Sequence, residues 1–216
     1  MNLNLFDSEP GANWPDRLGQ HAVVLRGCAL ACVPELLSAL QTILRTAPFR
    51  YMVTRGGFRM SVALTNCGAL GWTSDRHGYR YCRADPVSGL DWPAIPSVFM
   101  DLALRAASDA SFDEFIPDAC LINQYEPGTR LSLHQDKNER HFDEPIVSVS
   151  LGIPATFLFG GHERTDKAIR VPLLHGDVVV WGGSDRMRYH GILPIKKAYH
   201  PLIGGRRINL TFRKAG

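Results

Sequence analysis

The chain has 216 residues, 45% of them hydrophobic and 21% charged, with a formal net charge of +3. That is enough chain for one sizeable core and an ordinary soluble composition, and it confines any nucleic-acid affinity to a local patch. No run of about 18 apolar residues and no basic-then-apolar amino terminus is present, so neither a membrane span nor a secretory signal is expected. The five cysteines (28, 32, 67, 82 and 120) are few and scattered. They fit a reducing cytoplasm better than a disulfide framework, and Cys28 and Cys32 stand too far from other soft ligands to argue for zinc.

In chain order, residues 1–12 read as a flexible tail and 13–216 as one domain. "HAVVLRG" suits a short strand. "VPELLSALQTILRTAP" predicts a helix, with Pro34 in its first turn and Leu36, Leu37, Leu40, Ile43 and Leu44 as one apolar stripe. Pro48 ends it. Residues 49–93 turn rich in Gly, Arg and aromatics, with strand-like pieces such as "RMSVALTN". A second helix is predicted from near Pro96 to about Ser108. From residue 118 the pattern becomes short strands between turn signals, including "ACLINQY", "IVSVSLG", "ATFLFGG", "DVVVWGG" and "RINLTF". The expected class is α+β, mainly β: a double-stranded β-helix, or jelly roll, with flanking helices.

Within these strands two polar rows stand out. "LHQD" places His134 and Asp136 two apart, so in extended backbone they point the same way. His190, after the "DVVVWGG" strand, is the candidate third ligand. Two histidines and one carboxylate on one face of a metal form the facial triad of non-haem Fe(II) oxygenases. An isolated His-x-Asp pair is weak evidence, and His21, His77, His141, His162, His175 and His200 are read as ordinary surface or core residues. The final strand, Arg207–Arg213, puts Ile208, Leu210 and Phe212 on one face and Arg207, Asn209, Thr211 and Arg213 on the other. A polar row of this kind suits a cavity holding a carboxylate, because arginine offers paired donors. Asn123 and Tyr125 make a second inward row.

With these motifs, in this order, the chain resembles the AlkB family of Fe(II)/2-oxoglutarate dioxygenases, and within it the bacterial members. The resemblance runs from "PFRYMVTRGGFRMSVALTNCG" through "LHQDK", "HGDVVVWGG" and "YHGI" to "NLTFR". It implies that His134, Asp136 and His190 bind iron. It also implies that Asn123, Tyr125, Arg207, Asn209 and Arg213 hold 2-oxoglutarate, with Arg207 on the distal carboxylate. The implied reaction is oxidative removal of alkyl groups from N1-methyladenine or N3-methylcytosine in DNA, single strands first, with RNA as a further candidate. Formaldehyde, succinate and carbon dioxide are the products. The alternatives are a sister dioxygenase acting on a protein or small molecule, and a non-catalytic jelly-roll binding module.

Residues 49–83 carry six arginines (50, 55, 59, 76, 80 and 83) against one acid, Asp75, interleaved with aromatic residues. Cations with aromatics suit phosphates and stacked bases, although a solvated loop over core aromatics would have the same composition. The resemblance implies that 49–93 is a nucleotide-recognition lid. Trp72 would stack on a flipped base, Tyr79, Arg80 and Tyr81 would touch the nucleotide, and Arg164 would sit at the pocket edge. Asn138 stands where the bacterial relatives carry aspartate. A monomer is expected. The "NLNLF" peptide at residues 2–6 resembles those that dock on the sliding clamp.

Overall fold

The computed structural model describes residues 16–216. The expectations for the amino-terminal tail and for the clamp-like peptide at residues 2–6 fall outside the described residues. The described residues open with strands β1 (Asp16–Arg17) and β2 (Ala22–Leu25), followed by helix α1 (Val33–Thr46). Next come β3 (Ala63–Gly68), β4 (Gly71–Asp75), β5 (Gly78–Cys82) and helix α2 (Ser97–Asp109). The second half is almost all strand: β6 (Ala119–Tyr125), β7 (Leu131–His134), β8 (Ile146–Gly152), β9 (Ala155–Phe159) and β10 (Ile169–Leu173). It ends with β11 (Val178–Trp181), β12 (His190–Ile192) and β13 (Arg207–Arg213).

Two sheets form the jelly roll. The larger has seven strands in the order β1-β2-β11-β8-β13-β6-β3, and the smaller has four, β10-β9-β12-β7. The pairings β13–β6, β13–β8 and β12–β7 are all antiparallel. Strand alternation divides the core in two. Ile208, Leu210 and Phe212 turn outward with Val147, Val149, Val178 and Val180 to meet Leu36, Leu40 and Ile43 of α1 and Phe99 and Leu102 of α2. Each such side chain contributes about 1.5–3 kcal/mol when fully withdrawn from water, so this layer anchors the large sheet. On the inner face, Val179 and Trp181 meet Phe157, Phe159 and Ile192 of the small sheet. The opposite faces of "RINLTFR" therefore serve different layers: the apolar face carries the helices, and the polar face is free for the cavity.

The segment 49–93 is not one unit. Its middle, β3, is fully buried and pairs with β6 in the large sheet, because "VALTNC" has an apolar face that finds cover only there. What stands apart is the two-stranded hairpin β4–β5, with Trp72 opposite Tyr81 and Ser74 opposite Tyr79, together with the loops on either side of it.

Candidate active site

The β12–β7 pairing sets His190 directly across from His134. Gly191 permits this approach, since a Cβ there would lie 2.6 Å from the Leu131 carbonyl. Asp136 follows two residues after His134. One ligand atom from each of the three residues falls within 4.8 Å of the others. Asp136 Oδ1 is 3.6 Å from His134 Nε2, and Oδ2 is 3.6 Å from His190 Nε2.

The tautomers are set by the backbone. His134 Nδ1 lies 2.9 Å from the Ser132 carbonyl and His190 Nδ1 3.0 Å from that of Arg188. A carbonyl only accepts, so each Nδ1 carries the proton and each Nε2 turns a lone pair towards Asp136. Carbonyl-oriented imidazoles of this kind are the usual support of metal-ligating histidines. Burial, joined by the neighbouring His134, lowers the pKa of His190 and keeps it neutral. Burial alone would raise that of Asp136, but the Arg213 guanidinium outweighs it and holds the carboxyl well below its ordinary range. Arg213 donates to Asp136 Oδ2 from Nε at 2.9 Å and from Nη2 at 2.6 Å.

The three residues open on a cavity of about 600 Å³ between the two sheets, roofed by the β4–β5 hairpin. Arg207 forms its far wall. The side chain is 1% exposed, its guanidinium lies 5.0 Å over the Tyr125 ring, and Nη2 donates to Ser150 Oγ at 2.7 Å. Among the described residues its Nε and Nη1 are buried without a partner. An unsatisfied buried donor costs about 1–3 kcal/mol, more when charged, so this wall is built for an anionic acceptor. The buried Trp181 indole N–H, also unpaired, lines the same cavity. The donor set therefore fits the pair of groups implied for it: three ligands for a divalent metal, and a cation for the free carboxylate of 2-oxoglutarate. Asn123 and Asn209 are cross-strand partners on this wall. The Asn209 amide is taken up within the sheet by Ser148, Val149 and Thr211, so it braces the wall.

A family model described as the 2OG-Fe(II) oxygenase superfamily matches residues 23–213. The chain is 54% identical over 213 residues to the alpha-ketoglutarate-dependent dioxygenase AlkB of Salmonella typhimurium, covering 99% of this chain and 98% of that protein. It is 53% identical over 215 residues to the protein of the same name from Escherichia coli, covering 99% and 98%. The chain belongs to the AlkB family of Fe(II)/2-oxoglutarate-dependent dioxygenases. Its fold agrees: the solved structure of OsALKBH1 superposes with a TM-score of 0.80 over 93% of this chain and 99% of that one, at 28% identity. The cofactors of this dioxygenase are Fe(II) and 2-oxoglutarate, as the resemblance implied.

At the mouth of the cavity, Trp72 and Tyr79 stack with ring centroids 5.6 Å apart and 14° between planes. Trp72 Nε1 donates to Asn138 Oδ1 at 3.4 Å. Asn138 lines the cavity, and so does Arg164, whose guanidinium lies 5.1 Å from the Tyr189 ring. Arg80 and Tyr81 do not line it. Arg80 turns to the other face of the hairpin and forks onto Asp75, with donor distances of 2.9 and 2.6 Å. The Tyr81 hydroxyl donates to Glu139 Oε1 at 2.7 Å. Of Tyr79, Arg80 and Tyr81, only Tyr79 lines the catalytic cavity, and all three border a neighbouring groove.

The sequence reading missed the layer behind the triad. Glu139 and Arg186 form a buried ion pair at 3.3 Å, and Glu139 also lies 3.4 Å from Arg213. Arg186 donates to the Asp136 carbonyl at 2.9 Å. "KNER" and "SDRMR" look like solvated turns, and nothing in their spacing marks them as partners.

Proposed function

We propose that this chain removes small alkyl groups from ring nitrogens of nucleobases in single-stranded DNA, with RNA as a second substrate. One observation carries the reading: a single cavity joins the His134–Asp136–His190 cluster to the unpaired donors of Arg207 at one end and to the Trp72–Tyr79 stack at the other. In this reading His134, Asp136 and His190 bind the iron, and Arg207 takes the distal carboxylate of 2-oxoglutarate. Asn123 and Tyr125 complete the wall against which it lies.

Fe(II), when bound, couples dioxygen activation to oxidative decarboxylation of 2-oxoglutarate, giving succinate and carbon dioxide and the power to hydroxylate an N-alkyl carbon. The protein residues supply the geometry. Arg213 keeps Asp136 ionised and fixed. Trp72 offers an aromatic face to a base flipped out of its strand, worth about 1–3 kcal/mol per stacked base. Phe157 and Trp181 give the inner cavity a dry wall. Once hydroxylated, the N–CH₂OH group loses formaldehyde without further help and leaves the repaired base. Among the described residues no helix is long and apolar enough to cross a membrane.

The test is formaldehyde release from an oligonucleotide carrying N1-methyladenine or N3-methylcytosine, with Fe(II) and 2-oxoglutarate supplied. Stoichiometric formaldehyde and succinate are expected. Succinate formed with a protein or small-molecule substrate, and none with either oligonucleotide, would reject the reading.

A further inference from the structure

Across the rim from the catalytic cavity lies a second groove of about 1010 Å³. Tyr79 and Asn138 line both, so the two spaces meet at that rim. One bank of the groove follows β5 and carries Arg83, Asp91 and Trp92, and the other carries Asp118, Arg140 and Lys214. Asp91 offsets one of the cations, and the groove keeps a net positive charge. Asp118 already accepts the backbone N–H groups of Ala215 at 2.6 Å and Gly216 at 3.2 Å, with the Lys214 ammonium at 3.4 Å. Arg80 is occupied by Asp75. Arg83 and Arg140 are exposed, stand on opposite banks and form no ion pair among the described residues. Arg140 is fixed in place by its backbone N–H, which donates to the Ala215 carbonyl at 3.1 Å.

Two guanidinium groups that border one channel, neither ion-paired among the described residues, suit an anion passing along it, and arginine's planar fork matches phosphate oxygens. The channel continues from the place where a flipped base would enter, and Tyr79 adds an aromatic face along it. We propose that this groove carries the backbone phosphates of the nucleotides flanking the base in the cavity, held by Arg83 and Arg140 from opposite sides. This rests on the nucleic-acid reading above and adds the path of the substrate strand. It makes the enzyme length-sensitive: a strand that reaches the groove gains two phosphate contacts that a shorter one lacks.

The experiment compares wild type with the Arg83→Gln/Arg140→Gln double variant on a methylated trinucleotide and on a methylated single strand of about fifteen nucleotides, near the upper end of single-strand site sizes. Formaldehyde release is followed over a range of salt. The long-to-short ratio of kcat/KM should fall about tenfold in the double variant, chiefly through KM on the long strand. The log–log salt slope on that strand should become shallower by about 1.4, since each single-strand phosphate contact contributes about 0.7. Arg83→Lys/Arg140→Lys should recover most of the slope. An unchanged slope, or equal loss on both lengths, would overturn the proposal. A loss confined to duplex substrate would also overturn it, by assigning the groove to the opposite strand. Wild-type enzyme that releases no formaldehyde from either strand would instead defeat the underlying nucleic-acid reading.

Discussion

The two ends of the catalytic cavity are built to different rules. The deep wall that faces the metal ligands is a strand paired on both sides. Arg207, Asn209, Thr211 and Arg213 all lie on β13, which is held between β6 and β8, and each is 6% exposed or less. The mouth is a two-stranded hairpin, a unit with little stability of its own, and its Tyr79 is 49% exposed. A cosubstrate held beside a metal needs closely fixed partners, which the buried, doubly paired β13 supplies. Admission of a polymer needs a surface that can move aside. Substitutions at the deep end should therefore damage turnover or cosubstrate binding, and substitutions at the mouth should act on the lesion.

The largest effect is expected at the triad. His134→Ala, Asp136→Ala and His190→Ala should each reduce formaldehyde release to background. The histidine variants should keep their fold. Asp136→Ala should also lose roughly 3 kcal/mol of stability, because Arg213 would remain buried beside a missing partner. Normal turnover in any of the three would dismiss this ligand set. Next in size is Arg207→Lys. A point charge cannot reproduce the guanidinium's several donors, and charged hydrogen bonds contribute about 1.5–3 kcal/mol. The apparent KM for 2-oxoglutarate should rise about 10- to 100-fold, with the KM for the methylated strand little changed. An unmoved 2-oxoglutarate KM would mean that another cation holds the distal carboxylate.

Trp72→Ala brings the comparison to the mouth. Loss of the stacking face should cost about 1–3 kcal/mol in kcat/KM for the methylated base and leave 2-oxoglutarate binding alone. The decisive measurement is the uncoupled conversion of 2-oxoglutarate to succinate without nucleic acid. It should survive in Trp72→Ala, and a parallel loss would mean that Trp72 supports the metal end instead.

The same division explains what could be read from the sequence. In "RINLTFR" the strict alternation assigns every residue to a face, because a buried strand offers only two environments. The His-x-Asp spacing works for the same reason. The mouth is less legible because its composition is uniform while its side chains divide between faces and partners. Six arginines between residues 50 and 83 suggested a uniform substrate surface, yet Arg80 pairs with Asp75, Arg50 pairs with Asp85, and Arg59 lies 3.8 Å over the Tyr51 ring. The Glu139–Arg186 pair joins two loops 47 residues apart in sequence. Such a contact is decided by how the sheets close and not by any local pattern. Arg140, one residue from Glu139, points instead into the open groove.

The smallest effect tests the mouth most finely. Asn138 lines the cavity and accepts from the Trp72 indole, so it lies beside the face on which a base would stack. Asparagine keeps that acceptor but supplies no charge, where the family resemblance implies an aspartate. A cationic base such as N1-methyladenine gives up hydration when it enters, so a nearby carboxylate would favour it over a neutral adduct. The residue is exposed, which keeps the gain near that of a surface pair, about 1 kcal/mol or a factor of about five. Asn138→Asp should raise the ratio of kcat/KM for a charged over a neutral lesion by that factor in matched oligonucleotides, with the 2-oxoglutarate KM unchanged. A ratio that stays put, or that moves toward the neutral lesion, would show that charge is read elsewhere in the site, and Asn138 would then serve only to orient Trp72.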